Sequence, residues 1–265
     1  MRDSLFSNLK LVVVKVGTST LASKFHPMDK NVVKRISGQV CELLDKRIKV
    51  VLVSSGAIGA GMHLLGLKAR PKTLDHLQAA AAIGQAQLMK AYDEYFKEHG
   101  RKVAQVLLTR DDFEERKRCA NVKSTLLTIL EYGAVPIINE NDTVSADEIK
   151  FGDNDTLAAL VTDLLVADLL IILSDVDGLY SHMGKKEVID AVKEIDAEIE
   201  RLACGTDKET CVGGMSTKIK AARAVNEAGI PMVIANGKAK EVLTRIVNKE
   251  RVGTVFVPRS KRSSS

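Results

Sequence analysis

At 265 residues, the chain is long enough for one large α/β domain or two smaller ones, and with 45% apolar and 28% charged residues it can bury a sizeable core. Every apolar run is broken by charge or glycine before the roughly 18 residues a membrane helix needs, and the N-terminus lacks the basic-then-apolar pattern of a secretory signal, so the cytosol is the expected location. The net charge of +5 resides entirely in residues 245–265, where Arg245, Lys249, Arg251, Arg259, Lys261 and Arg262 face one acid, Glu250. The rest of the chain is balanced, which argues against a nucleic-acid binder. Cys41, Cys119, Cys204 and Cys211 have neither CxxC spacing nor the density of a disulfide framework, and the five histidines are scattered, so free thiols and no metal-ligand cluster are expected.

In chain order, six Val/Ile/Leu-rich runs read as buried parallel strands: 9–17, 49–56, 102–109, 134–141, 168–175 and 230–237. Amphipathic stretches predict helices near 29–46, 57–66, 73–99, 116–132, 154–166, 190–203, 216–228 and 239–248. N-cap signals stand at Asp153 and Ser216. This alternation predicts an α/β fold, a three-layer αβα sandwich with a mainly parallel central sheet. No Pro- or Ser-rich linker divides the first 257 residues, which predicts a single domain over 1–257 followed by a disordered basic tail, 258–265.

Ligands of open α/β sheets bind beyond the carboxyl ends of the strands, so the segments after each run carry the functional reading. The first run holds Lys15 and ends in Gly17, Thr18 and Ser19. A lysine in a Val run is either a strand-end residue reaching solvent or a cation aimed at phosphate. The second ends "SSGAIGAG", with Ser55, Gly56, Gly59 and Gly61 opening a helix whose free N–H groups suit an anion; neither a P-loop nor a dinucleotide fingerprint is present. The fourth run leads into Asn139, Glu140, Asn141 and Asp142, and then to Asp153, Asn154 and Asp155 at a helix start. Such a cluster suits a small zwitterion, with Asp142 for an ammonium group, Asn154 for a carboxylate or hydroxyl, and Asp155 orienting lysines or a metal. The fifth ends at Ser174 and Asp175, with Asp177 read as a turn. "GGMSTK" then places Gly213, Gly214, Met215, Ser216, Thr217 and Lys218 at another helix start. None of these loops carries a His or Cys, which disfavours acyl transfer and favours phosphoryl transfer, where positioning and charge neutralisation dominate.

The ordered set "VVKVGTS", "SSGAIGAG", "QAAAAIGQ", "INENDTV", "FGDND", "SDVDGLY" and "GGMSTK" resembles the glutamate 5-kinases of the amino-acid kinase family, from about residue 10 to 257. The resemblance implies ATP- and Mg²⁺-dependent phosphorylation of the γ-carboxylate of L-glutamate, the first step of proline synthesis, with proline as feedback inhibitor and a dimer or tetramer as assembly. By position it implies Lys15 and Lys218 on the transferring phosphoryl group, Asp155 organising them, Ser55, Gly56, Asp142 and Asn154 on glutamate, and Ser174, Asp175 and residues 213–218 on ATP. Val212 stands where relatives often carry Thr, which removes a hydroxyl from the ATP loop. The C-terminal PUA domain of many bacterial members has no counterpart here. A kinase of the same fold for aspartate or acetylglutamate, and a non-catalytic amino-acid sensor, are the alternatives. Asp142 disfavours the acetylated amine, and the presence of both lysines disfavours the sensor.

Overall fold

The computed structural model describes residues 1–23, 26–145, 154–182, 185–204 and 214–258. In chain order its elements are α1 (Arg2–Leu5), β1 (Leu11–Val16), α2 (Thr18–Leu21), α3 (Lys30–Asp45), β2 (Lys49–Ser54), α4 (Ala57–Leu64), α5 (Leu74–Glu98), β3 (Lys102–Leu108), α6 (Asp111–Glu114), α7 (Arg116–Glu131) and β4 (Ala134–Glu140). There follow α8 (Asn154–Leu165), β5 (Leu169–Ser174), β6 (Tyr180–His182), β7 (Lys185–Val188), β8 (Ala191–Val192), α9 (Ala197–Cys204), α10 (Met215–Glu227), β9 (Met232–Asn236), α11 (Val242–Val247) and β10 (Thr254–Phe256).

All six sequence-read strands form, and they join β10 and β8 in one sheet of order β3-β4-β2-β1-β5-β9-β10-β8. Every pairing is parallel except β10 with β9. The β-branched residues of β1 and β2 suit a strand buried on both faces. Alternation sorts them: Val12, Val14 and Val16 enter the core shared with Val33, Ile36 and Leu88 of α3 and α5, whereas Val13 enters the core shared with Leu157 and Val161 of α8 and Ile219 of α10. Lys15, two residues beyond Val13, shares the α8/α10 face. From β1 the chain passes to β2 on one side and, later, to β5 on the other, so the carboxyl end of β1 is a topological switch point.

The structure corrects three sequence expectations. Residues 190–203 do not form one helix: Ala191 and Val192 pair with Val255 and Phe256, and the helix begins only at Ala197, where the Asp196 carboxylate accepts from the N–H groups of Glu198 and Ile199. The burial of Val192 against Phe256 outweighs the helical pattern, which periodicity alone cannot foresee. Ser216 is not an N-cap; it lies inside α10, whose cap is Gly214. The last helix starts at Val242 rather than 239. The cap read at Asp153 and, apart from Pro258, the tail read at 258–265 lie outside the described residues.

Candidate active site

Lys15 is 6% exposed, so it does not reach solvent. Its Nζ lies 2.6 Å from Oδ1 of Asp155, and Oδ2 of the same carboxylate takes Lys218 Nζ at 3.1 Å. Asp155 is 1% exposed and Lys218 8%. Each member arrives by a simple route: Lys15 from the α8/α10 face of β1, Asp155 from the first turn of α8, and Lys218 from the first turn of α10. Thr217 Oγ1 also donates to Asp155 Oδ2, and Lys218 Nζ donates to the Gly214 carbonyl. Gly214, at φ 75° and ψ −124°, holds a conformation that only glycine adopts readily, and it delivers the chain into α10 at the angle this contact requires.

The electrostatics follow from burial. Desolvation pushes the Asp155 carboxyl upward, but Lys15 and then Lys218 outweigh it and hold the group below the ordinary carboxylate range. One buried anion between two buried cations leaves one positive charge in excess, a local surplus suited to an anionic ligand.

Two cavities meet at this point. One, of about 310 Å³, is lined by residues including Ser55, Gly56, Arg70, Glu140, Asp142 and Asn154. The other, of about 470 Å³, is lined by Ser19, Asp155, Ser174, Asp175, Gly214, Met215, Thr217 and Lys218 among others. Lys15 and Thr18 belong to both walls. The first cavity carries two acids, Glu140 and Asp142, beside Arg70, a lining suited to a zwitterion. The second opens at the N-terminus of α10, where the helix dipole favours phosphate. The N-terminal end of α4 faces the first cavity from Gly56, at φ 105°.

The structure therefore brings Lys15, Asp155 and Lys218 into contact and gathers Ser55, Gly56, Asp142 and Asn154 in one cavity and Ser174, Asp175, Gly214, Met215 and Thr217 in the other. Ser216 is buried within α10 and is not part of the wall; Gly213 and Val212 lie outside the described residues. Sequence reasoning passed over Arg70, which sits in a loop between two helices with no motif around it, and assigned no role to Gln85, which closes the quoted "QAAAAIGQ". Neither cavity is lined by a His or Cys. Among the described residues no group of three or more His, Cys, Asp or Glu could hold a metal, and no helix is long and apolar enough to cross a membrane.

This geometry agrees with comparisons to known proteins. The sequence profile of the Amino acid kinase family matches residues 10–236. A glutamate 5-kinase of Clostridium acetobutylicum is 47% identical over 98% of this chain and 99% of its own length. Those of Thermoanaerobacter sp. (strain X514) and Pelobacter propionicus are 48% and 45% identical, over 96% and 97% of this chain and 69% and 70% of theirs. A buried lysine pair on one carboxylate, set between a cavity lined for a zwitterion and a larger one at a helix N-terminus, stands on a chain that belongs to the amino-acid kinase family, among its glutamate 5-kinases.

Proposed function

We propose that this chain transfers the γ-phosphoryl group of ATP to the γ-carboxylate of L-glutamate, giving L-glutamyl 5-phosphate for proline synthesis. The observation that carries this reading is the shared wall: Lys15 borders both cavities, so a carboxylate in one and a terminal phosphate in the other meet at its ammonium group.

The acceptor needs no general base, because a carboxyl group with a pKa near 4.3 is ionised at neutral pH. What remains is to bring two anions together and to neutralise the charge of the transferring group. Lys15 and Lys218 supply that neutralisation, and Asp155 holds both ammonium groups in place. Glu140 and Asp142 favour a free ammonium over an acetylated amine, while Ser55, Gly56 and Asn154 complete the acceptor cavity. Ser174, Asp175, Gly214, Met215 and Thr217 line the donor side. A Mg²⁺ ion fits this chemistry as a companion of ATP, carried on phosphate oxygens and water; no carboxylate cluster among the described residues would hold it alone. Bound there, it would withdraw charge from the phosphates. A cytoplasmic enzyme, assembled as a dimer or tetramer and inhibited by proline, completes the reading.

The test is ATP- and Mg²⁺-dependent hydroxamate formation with glutamate, aspartate and N-acetylglutamate offered in parallel. Glutamate is expected to be the preferred acceptor by kcat/KM, and turnover of aspartate equal to or better than that of glutamate would overturn the assignment.

A further inference from the structure

Three buried amides run from the interior to the acceptor cavity. Gln85, Asn139 and Asn154 are each more than nine-tenths buried. Asn139 Nδ2 donates to Gln85 Oε1 at 3.0 Å, Asn154 Nδ2 donates to Asn139 Oδ1 at 2.9 Å, and Asn154 Nδ2 also donates to Ser55 Oγ at 2.9 Å.

The direction of this chain of amides is dictated by a group that cannot be reversed. The backbone N–H of Glu140 donates to Asn139 Oδ1 at 2.9 Å, and a backbone N–H only donates, so this end of Asn139 has to be its oxygen. The other end of Asn139 is then an NH₂ that requires an acceptor, and Gln85 Oε1 meets that need. The end of Asn154 that faces Asn139 must in turn be its NH₂, which leaves the carbonyl oxygen of Asn154 as the end not engaged in the chain. Asn154 lines the acceptor cavity. Gln85 holds this arrangement at a cost to itself: its Nε2 is buried and has no protein partner among the described residues, while the side chain lines a neighbouring cavity of about 270 Å³ that shares Ala57, Glu140 and Asp142 with the acceptor cavity.

We infer that Gln85 is a positioning residue that accepts from Asn139 and so holds it in the polarity the Glu140 N–H dictates, with the result that Asn154 presents a hydrogen-bond acceptor to the ammonium group of the substrate. This rests on the reading of that cavity as the acceptor site. It reverses the expectation from sequence that Asn154 serves a carboxylate or hydroxyl. It also separates the labour between neighbours: Asp142 supplies charge and Asn154 supplies direction, and the two define an amine-specific corner. Without an acceptor at position 85 the Asn139 NH₂ is buried unsatisfied, Asn139 is free to turn, and Asn154 loses the partner that orients it.

The experiment compares Gln85→Met, unbranched and of similar volume, with Gln85→Glu, whose carboxylate still accepts from Asn139. Gln85→Met should raise the KM for glutamate roughly 5- to 30-fold while kcat and the KM for ATP change less than about 3-fold; Gln85→Glu should stay within about 3-fold of the parent in all three. An unchanged KM in Gln85→Met, or equal damage in Gln85→Glu, would overturn the inference. Should Gln85→Met fail to fold, a structure of the unaltered protein with glutamate bound decides the matter: the ammonium must lie within hydrogen-bond reach of the Asn154 side chain, and a carboxylate there overturns it. Asp142→Asn separates the two levels, because it must raise the KM for glutamate whichever way Asn154 points. If Asp142→Asn leaves that KM unchanged, it is the acceptor cavity itself that has been misassigned.

Discussion

Asp155 is a single carboxylate shared by two ammonium groups, and both its stability and its chemistry can be tested. Lys218→Ala should lower kcat by roughly 10²- to 10³-fold, the range seen when one preorganised charge-stabilising donor is lost, with a much smaller change in the KM for ATP; an unaltered kcat would remove Lys218 from the reaction. The pH dependence has a definite sign. A folded pKa held below the unfolded value near 3.9 gives stability that is present above that value and lost as pH falls through the folded pKa. The stabilities of the parent and of Asp155→Asn, followed by denaturation from pH 7 to pH 2, should therefore begin to draw together below about pH 4 and meet only as pH falls through the lower folded pKa, where protonated Asp155 resembles the amide; a constant difference across that range would mean that Asp155 carries no charge-dependent stability. Lys15 was legible in the sequence as a charge in a run of valines. Its contact with Asp155 was not, because the pairing depends on which face of β1 the lysine shares and on how α8 crosses it, and neither is local information.

At the scale of elements, the glycines of "SSGAIGAG" and "QAAAAIGQ" turn out to serve packing as much as anion binding. A Cβ on Gly84 would lie 1.8 Å from the carbonyl oxygen of Ala57 and 2.4 Å from the nitrogen of Gly61; one on Gly61 would lie 1.8 Å from the carbonyl oxygen of Ala80. Helices α4 and α5 thus touch backbone to backbone, and the contact fixes the turn from which Gly56 faces the acceptor cavity. Gly84→Ala must separate the helices, at a cost of about 1–3 kcal/mol or more, and should lower the melting temperature by several degrees while raising the KM for glutamate. Gly38→Ala is the control. It sits in α3 with nothing within 4 Å of the added methyl and should stabilise by up to about 1 kcal/mol through helix propensity. Equal melting temperatures for the two variants would show that the seam is looser than described. Element type was legible wherever long periodic runs occurred, as in α5 and β5. It failed at β8 and β10, strands of two and three residues that only their pairing in the sheet defines, β8 with β10 and β10 also with β9.

At the scale of the molecule, the sheet is completed from its two chain ends. The guanidinium of Arg2 donates to the carbonyls of Glu250, Val252 and Gly253, each at 2.9 Å, and to Asp190, whose carboxylate oxygen lies 2.9 Å away. It joins the first helix to the loop before β10 and to the residue before β8. Arg2→Ala leaves these carbonyls without their buried donor and should destabilise by about 1–3 kcal/mol in chemical denaturation. Arg2→Lys should recover little of it, because an ammonium cannot reproduce the planar fork. Full recovery by lysine would reduce the contact to simple charge.

The position of β10 carries a consequence for how the protein is made. It is the last described strand in the chain, yet in the sheet it lies between β9 and β8, both synthesised earlier. While β10 is still inside the ribosome, β8 has no neighbour in the sheet, β9 shows a bare edge, and Arg2 waits without its carbonyls. A nascent chain can assemble the crevice around Lys15 before that moment, but β9 and β8 gain their shared neighbour only once β10 has emerged. Chaperones that shield unpaired strands would therefore be needed longest at the end of the sheet opposite β3.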